Sequence, residues 1–259
     1  PARDGHAGSE GPLRHRTVLF GGWTGTEFLS DTWEWDGVDW VLRSPNPPVT
    51  QTTGAAMASH PVSQRAVAFG GTRPGSTALE PSDDMLEWQG DHWKKLTFAT
   101  MPPARSSHAM VTDHGRGRIV LFGGEGSQIS LGDTWEFDGS RWRQQPLTVR
   151  PTRRSGHMLA YDEARRRVVL FGGSQGDNMP PHFNDTWEYD GTRWQQLQVT
   201  VKPPPRVVGA MAYDPVSRRV VLHGGETSGS RFYNDMWEWD GVRWTERIGT
   251  DAPTRRHHQ

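Results

Sequence analysis

The 259-residue sequence contains no cysteine. Disulfides, thiolate nucleophiles and cysteine-held metals are therefore excluded, while the compartment stays open, because secreted chains without cysteine are common. Long apolar runs are missing too: no stretch approaches the ~20 residues that a membrane-spanning helix needs. Hydrophobic residues make up only 33% of the chain, so any core must rest on a few large side chains. Net charge is nearly absent, at −1 with histidines neutral, which removes the electrostatic case for nucleic acid or an anionic membrane.

Glycine (30), proline (19) and tryptophan (13) are plentiful, and they recur on a fixed ruler. A glycine pair closes a β-branched, apolar run at Gly21-Gly22, Gly70-Gly71, Gly123-Gly124, Gly172-Gly173 and Gly224-Gly225. Downstream comes Asp31-Thr32-Trp33-Glu34-Trp35-Asp36-Gly37, with cousins beginning at Asp84, Asp133, Asp185 and Asp235. A last tryptophan follows in each copy: Trp40, Trp93, Trp142, Trp194 and Trp244. The positions Arg3, Thr52, Arg105, Arg154 and Arg206 each precede their first glycine by 18 residues. Asp to last Trp is 9 in all five copies, and last Trp to the next repeat is 12. Only the stretch from the second glycine to the Asp varies, over 9, 13, 9, 12 and 10 positions.

Each unit reads as four short strands, A to D, with turn formers between A and B and Asp-Gly between C and D. Four antiparallel strands at this period make a propeller blade, and such units must stack to bury both faces. The pattern resembles the kelch-repeat family, whose marks are the glycine doublet, an aromatic in the third strand and a Trp in the fourth. The resemblance runs from Pro1 to about Ile248. It implies an all-β fold, a β-propeller of five four-stranded antiparallel kelch-type blades, as one domain over residues 1–259. Arg256 falls in register to open a sixth repeat, and a chain that opens on Pro1 fits a processed or partial protein. The second blade departs most, with Thr52 for the Arg, Leu86 for the first Trp and Gln89 for the Asp of Asp-Gly.

Residues that repeat in every blade serve needs that every blade shares, so the glycine pairs and the Asp and Glu columns read as scaffold. The exceptions point to function. Loops on a rigid frame carry binding chemistry more often than the frame does. The variable B–C loops hold Trp23, Glu27, Phe28, Arg73, Glu125, Asp177, Asn178, His182, Glu226, Arg231 and Tyr233, aromatics beside polar groups as binding surfaces use them. Arg3, Arg105, Arg154 and Arg206 are expected at one mouth of the channel. His6, His108 and His157 lie three residues after their Arg, and His223 replaces a strand-B Phe near Glu226. Three imidazoles on one ring could hold a divalent metal with an open position.

Two readings follow. The first is a non-catalytic recognition module that needs no cofactor and binds a protein, peptide or glycan partner through the B–C loops, as a monomeric domain or part of a larger chain. The alternative is a metal-dependent enzyme or metal-binding protein built on the histidines. Two enzymatic branches of the resembled family fail on residues. A galactose-oxidase-like copper site needs a cysteine, and a nitrile-specifier-like iron site needs a His where Glu27…Asp31 is followed by Trp35.

Overall fold

The computed structural model describes residues 1–11, 15–43, 50–75, 79–176, 180–227 and 231–247. Asp177, Asn178 and the Arg256 register lie outside them. The fold is all-β, a five-bladed β-propeller of the expected kind, and no helix occurs among the described residues, hence none able to cross a membrane.

Blade one is β1 (Ala7–Gly11), β2 (Arg16–Trp23), β3 (Phe28–Trp35) and β4 (Trp40–Arg43). Blade two is β5 (Ala56–Ser59), β6 (Ala66–Phe69), β9 (Met85–Trp88) and β10 (Trp93–Leu96), with a short ribbon of β7 (Thr72–Pro74) and β8 (Leu79–Pro81) between its second and third strands. Blade three is β11 (Ala109–Asp113), β12 (Arg118–Glu125), β13 (Ser130–Phe137) and β14 (Trp142–Gln145). Blade four is β15 (Met158–Asp162), β16 (Arg167–Phe171), β17 (Thr186–Tyr189) and β18 (Trp194–Leu197). Blade five is β19 (Ala210–Asp214), β20 (Arg219–His223), β23 (Met236–Trp239) and β24 (Trp244–Arg247), with the ribbon β21 (Glu226–Thr227) and β22 (Arg231–Phe232). Every blade is an antiparallel meander in sequence order, the ribbons aside. The chain forms two compact units, residues 1–112 with 116–145, and residues 113–115 with 146–259. Blades one to three belong to the first and blades four and five to the second.

Within each unit the core lies between blades. One cluster joins Val18 and Phe20 to Met57, Ala68 and Trp93; a second joins Val67 and Phe69 to Leu121, Phe137 and Trp142. In the second unit Val169 and Phe171 meet Leu222, Trp239 and Trp244. In blades two, three and four strand B is buried on both faces, which is why it reads as an unbroken apolar run rather than an alternating one; in blades one and five one face is only half-buried. The last two strands are joined by a directly opposed aromatic pair, such as Trp88 with Trp93 (5.2 Å between centroids) or Phe137 with Trp142 (5.1 Å).

The glycine pair sets the spacing of one blade from the next. Gly70 and Gly71 have φ of 69° and 95°, and the Arg105 carbonyl of blade three approaches so closely that a Cβ on Gly70 would stand 2.4 Å from it. That carbonyl accepts the Gly71 amide at 2.9 Å, and Thr52 and Arg206 accept from Gly22 and Gly173 in the same way. The Glu column adds a second link, since Trp88 Nε1 donates to Glu34 Oε1 at 2.8 Å and Trp239 Nε1 to Glu188 Oε1 at 3.2 Å. The last Trp adds a third: Trp93 Nε1 donates to Thr32 Oγ1 (2.8 Å) and Trp244 Nε1 to Thr186 Oγ1 (2.9 Å).

Each of these indoles packs on the preceding blade of its unit. Trp40 is 45% exposed against 1% for Trp244. Replacing Trp244 by Ala is therefore expected to cost about 3–5 kcal/mol of unfolding free energy. Trp40→Ala is expected to cost about 1 kcal/mol or less. Denaturant titration of the two variants checks the contrast.

Candidate functional site

The loops between strands B and C stand on a repeated clamp. Arg105 Nη1 and Nη2 donate to the two carboxylate oxygens of Asp133 at 2.8 and 2.9 Å. Its Nη1 also donates to the Gly123 carbonyl (2.9 Å) and its Nε to the Pro103 carbonyl (3.0 Å). Trp135 Nε1 donates to Asp133 Oδ2 at 2.6 Å. The same set joins Arg154 to Asp185 and Gly172, and Arg206 to Asp235 and Gly224. Arg3 makes it with Asp31 and Gly21.

The guanidinium's planar fork suits this job, as it satisfies a carboxylate bidentately and still has donors left for carbonyls. The side chains of Arg105, Arg154 and Arg206 are 0% exposed. The Arg column expected at a channel mouth is thus internal to the blades, pinning the approach to strand A onto the start of strand C and so fixing both ends of each variable loop.

In the first unit the first loop is a continuation of the β2–β3 hairpin. Trp23 and Phe28 face each other at its mouth with centroids 4.6 Å apart, and Glu27 is exposed at the tip. Arg73 lies opposite Glu80 in the β7–β8 ribbon and reaches Asp84 at 3.4 Å. Glu125 accepts from Ser130 Oγ at 2.8 Å across the third loop.

In the second unit, two loops meet. The His182 ring is 2.8 Å from Thr227 Oγ1, and Tyr233 covers the Arg206 guanidinium at 4.2 Å. Arg231 approaches the same ring at 5.4 Å and is itself exposed. Glu226 bridges through its backbone to Val207. His182, Arg231, Tyr233 and Glu226 are therefore neighbours on adjoining loops, and Thr227 joins them without any mark in the repeat pattern to announce it.

The histidines serve other ends. His108 is buried edge-on against Phe69 (5.6 Å, 81°), in the seam between blades two and three. His157 is buried, His6 is exposed, and His223 sits within β20 between Ala210 and Met236. Among the described residues no three His, Asp or Glu side chains gather as a metal site. The burial of His108 follows from its place at the entry to strand A, where the ring packs on Phe69 of the preceding blade instead of facing open space.

The sequence matches the KLHDC2/KLHL20/DRC7 Kelch-repeats domain over residues 56–259. The chain belongs to the kelch-repeat family. No curated protein matches it. A kelch propeller is a fold suited to protein interaction, and its loops rather than its blades distinguish one member from another.

The clamp of this kelch chain titrates. Burial alone would raise the Asp133 carboxyl, but the Arg105 hydrogen bonds and charge, with the Trp135 indole, outweigh it and hold the group below the ordinary carboxylate range. Asp185 and Asp235 are lowered for the same reasons. A depressed folded-state pKa gives stability that is complete above the unfolded value and is lost as pH falls through the folded one. The gap between wild type and Asp133→Asn, expected at about 3 kcal/mol or more at neutral pH, should therefore close below about pH 4. Denaturant titrations from neutral pH into the acid range check this, and a gap independent of pH would contradict it.

Proposed function

We propose that the protein is a non-catalytic recognition module whose B–C loops bind a partner protein or a peptide segment of one. The observation that carries this reading is the division of labour within each blade. The ends of each loop are held by a buried Arg–Asp clamp or, in the second blade, by its remnant, while loop length and side chains differ from blade to blade. Trp23 and Phe28 offer a rigid aromatic pair, Arg231 and Tyr233 a cation beside a ring, and Glu27, Arg73 and His182 supply polar contacts. Tyr, Trp and Arg are the residues that dominate binding energy in protein interfaces. With a net charge of −1, shape and local contacts rather than long-range attraction set the affinity. No metal or other cofactor enters this reading.

Peptides selected by display against the folded protein test it. At least one of Trp23→Ala and Arg231→Ala is expected to weaken a selected peptide by about 30-fold, the effect of losing ~2 kcal/mol at a hot spot. The thermal midpoint should stay within a few degrees of wild type. Peptides that bind equally well to both variants, and to Tyr233→Ala, would contradict the reading.

A further inference from the structure

The second blade lacks its own clamp, and four columns of the repeat are cut back there together. Thr52 stands where the other blades have the buried Arg, and Leu86 where they have the indole that bonds the Asp. Ala55 stands where blades one, three and four have His6, His108 and His157. Ser82 stands where blades four and five place Phe183 and Tyr233 over the guanidinium at 4.2 Å. All four line one cavity of about 210 Å³, far more than a single water needs. The truncations are scattered over 35 positions of sequence yet open into the same space, which marks the cavity as the room that an Arg, an indole, an imidazole and a ring would otherwise fill.

The acceptors remain. Asp84, the counterpart of Asp133, lines the cavity, as do Gly70, whose counterpart carbonyls accept from Arg Nη1, and Thr50, whose counterparts Pro103 and Thr152 accept from Arg Nε. Phe20 forms an apolar wall, at the place where Phe69 meets His108 one blade later. A carboxylate and two carbonyls are the surroundings that the same fold gives a guanidinium four times over, and twice it adds an aromatic ring. We infer that this cavity is a binding slot for an arginine side chain of a partner protein. For the partner this rests on the recognition reading above; the slot itself stands on the comparison among the blades.

Two cations already touch Asp84, and both come from the rim. Arg73 Nη1 is 3.4 Å away with a side chain 37% exposed, and Lys95 Nζ is 2.5 Å away with a side chain 62% exposed. Both also line the cavity, which keeps its volume with them in place. Such exposed ion pairs exchange readily with water, so an incoming guanidinium displaces them at small cost. Arginine is favoured over lysine because a point charge cannot bridge both carboxylate oxygens and the Gly70 carbonyl at once.

The opposite partner charge gives an opposite set of outcomes, which makes the test sharp. N-acetyl-arginine amide titrated into the labelled full chain, followed by amide chemical shifts, should move the signals of Thr52, Gly70 and Asp84 saturably, with millimolar affinity as befits one side chain. N-acetyl-lysine amide should bind about tenfold more weakly. Lys95→Ala should tighten arginine binding about threefold by removing a competitor. Thr52→Arg should abolish it and raise the thermal midpoint, because the chain then fills its own slot. Absence of saturable shifts, binding unaffected by Thr52→Arg, or tighter binding of N-acetyl-glutamate amide that Lys95→Ala weakens would each overturn the inference. Those failures would leave untouched the response of display-selected peptides to Trp23→Ala and Arg231→Ala, so the two readings fall separately.

Discussion

The structure depends on a buried ion pair between the segment that leads into the first strand of a blade and the first residues of its third. An antiparallel meander holds its strands by backbone bonds, but nothing in those bonds fixes where a loop of variable length must start and finish. The Arg–Asp clamp does so. Burying two charges is expensive, and the pair is tolerated because every prong of the fork is met: two carboxylate oxygens, a glycine carbonyl, and the carbonyl two residues upstream. Removing one partner leaves the other buried and uncompensated.

Around that clamp the blades are joined by individually modest interactions: a carbonyl–amide link at each junction within a unit, and a pair of indole links between blades one and two and between blades four and five. The carbonyl of the clamp residue presses on the preceding glycine pair and accepts its amide, so the clamp of one blade also sets its distance from the last. Indoles from the third and fourth strands reach back to the Glu and Thr of the preceding blade. Stability in such an array is close to a sum of unit and nearest-neighbour terms. A departure in one blade can therefore be borne locally, as blade two shows: it keeps its strands and its tryptophan pair, Trp88 and Trp93, while losing the clamp and three neighbouring large groups.

Much of this was legible in the residues. The glycine pairs, the Asp-Gly turns and the constant separations of 18, 9 and 12 fix the blades and confine variation to one loop per blade. The clamp was not legible, for a physical reason. The variable loop lies between its two members, so Arg-to-Asp separations of 28, 28, 31 and 29 hide a contact that the constant spacings would have exposed. The arginines therefore read as a shared column at a channel mouth, with no sign of the Asp that each one holds. The histidines misled similarly: a shared column implies equivalent places, not that the rings face one another, and His108 turns onto Phe69. Thr52 and Leu86 were visible as exceptions, but only the fold brings them together with Ala55 and Ser82 around one space. His182 and Thr227, 45 residues apart on different loops, were beyond any spacing argument.

The central claim is that the buried clamp is a coupled pair rather than two residues that are separately useful. A double-mutant cycle on Arg105 and Asp133, using Arg105→Met, Asp133→Asn and the double variant, measures that coupling directly by denaturant titration. A favourable coupling of about 2–3 kcal/mol is predicted, the upper part of the range for side chains in contact. A coupling near zero, with the two losses simply adding, would contradict it.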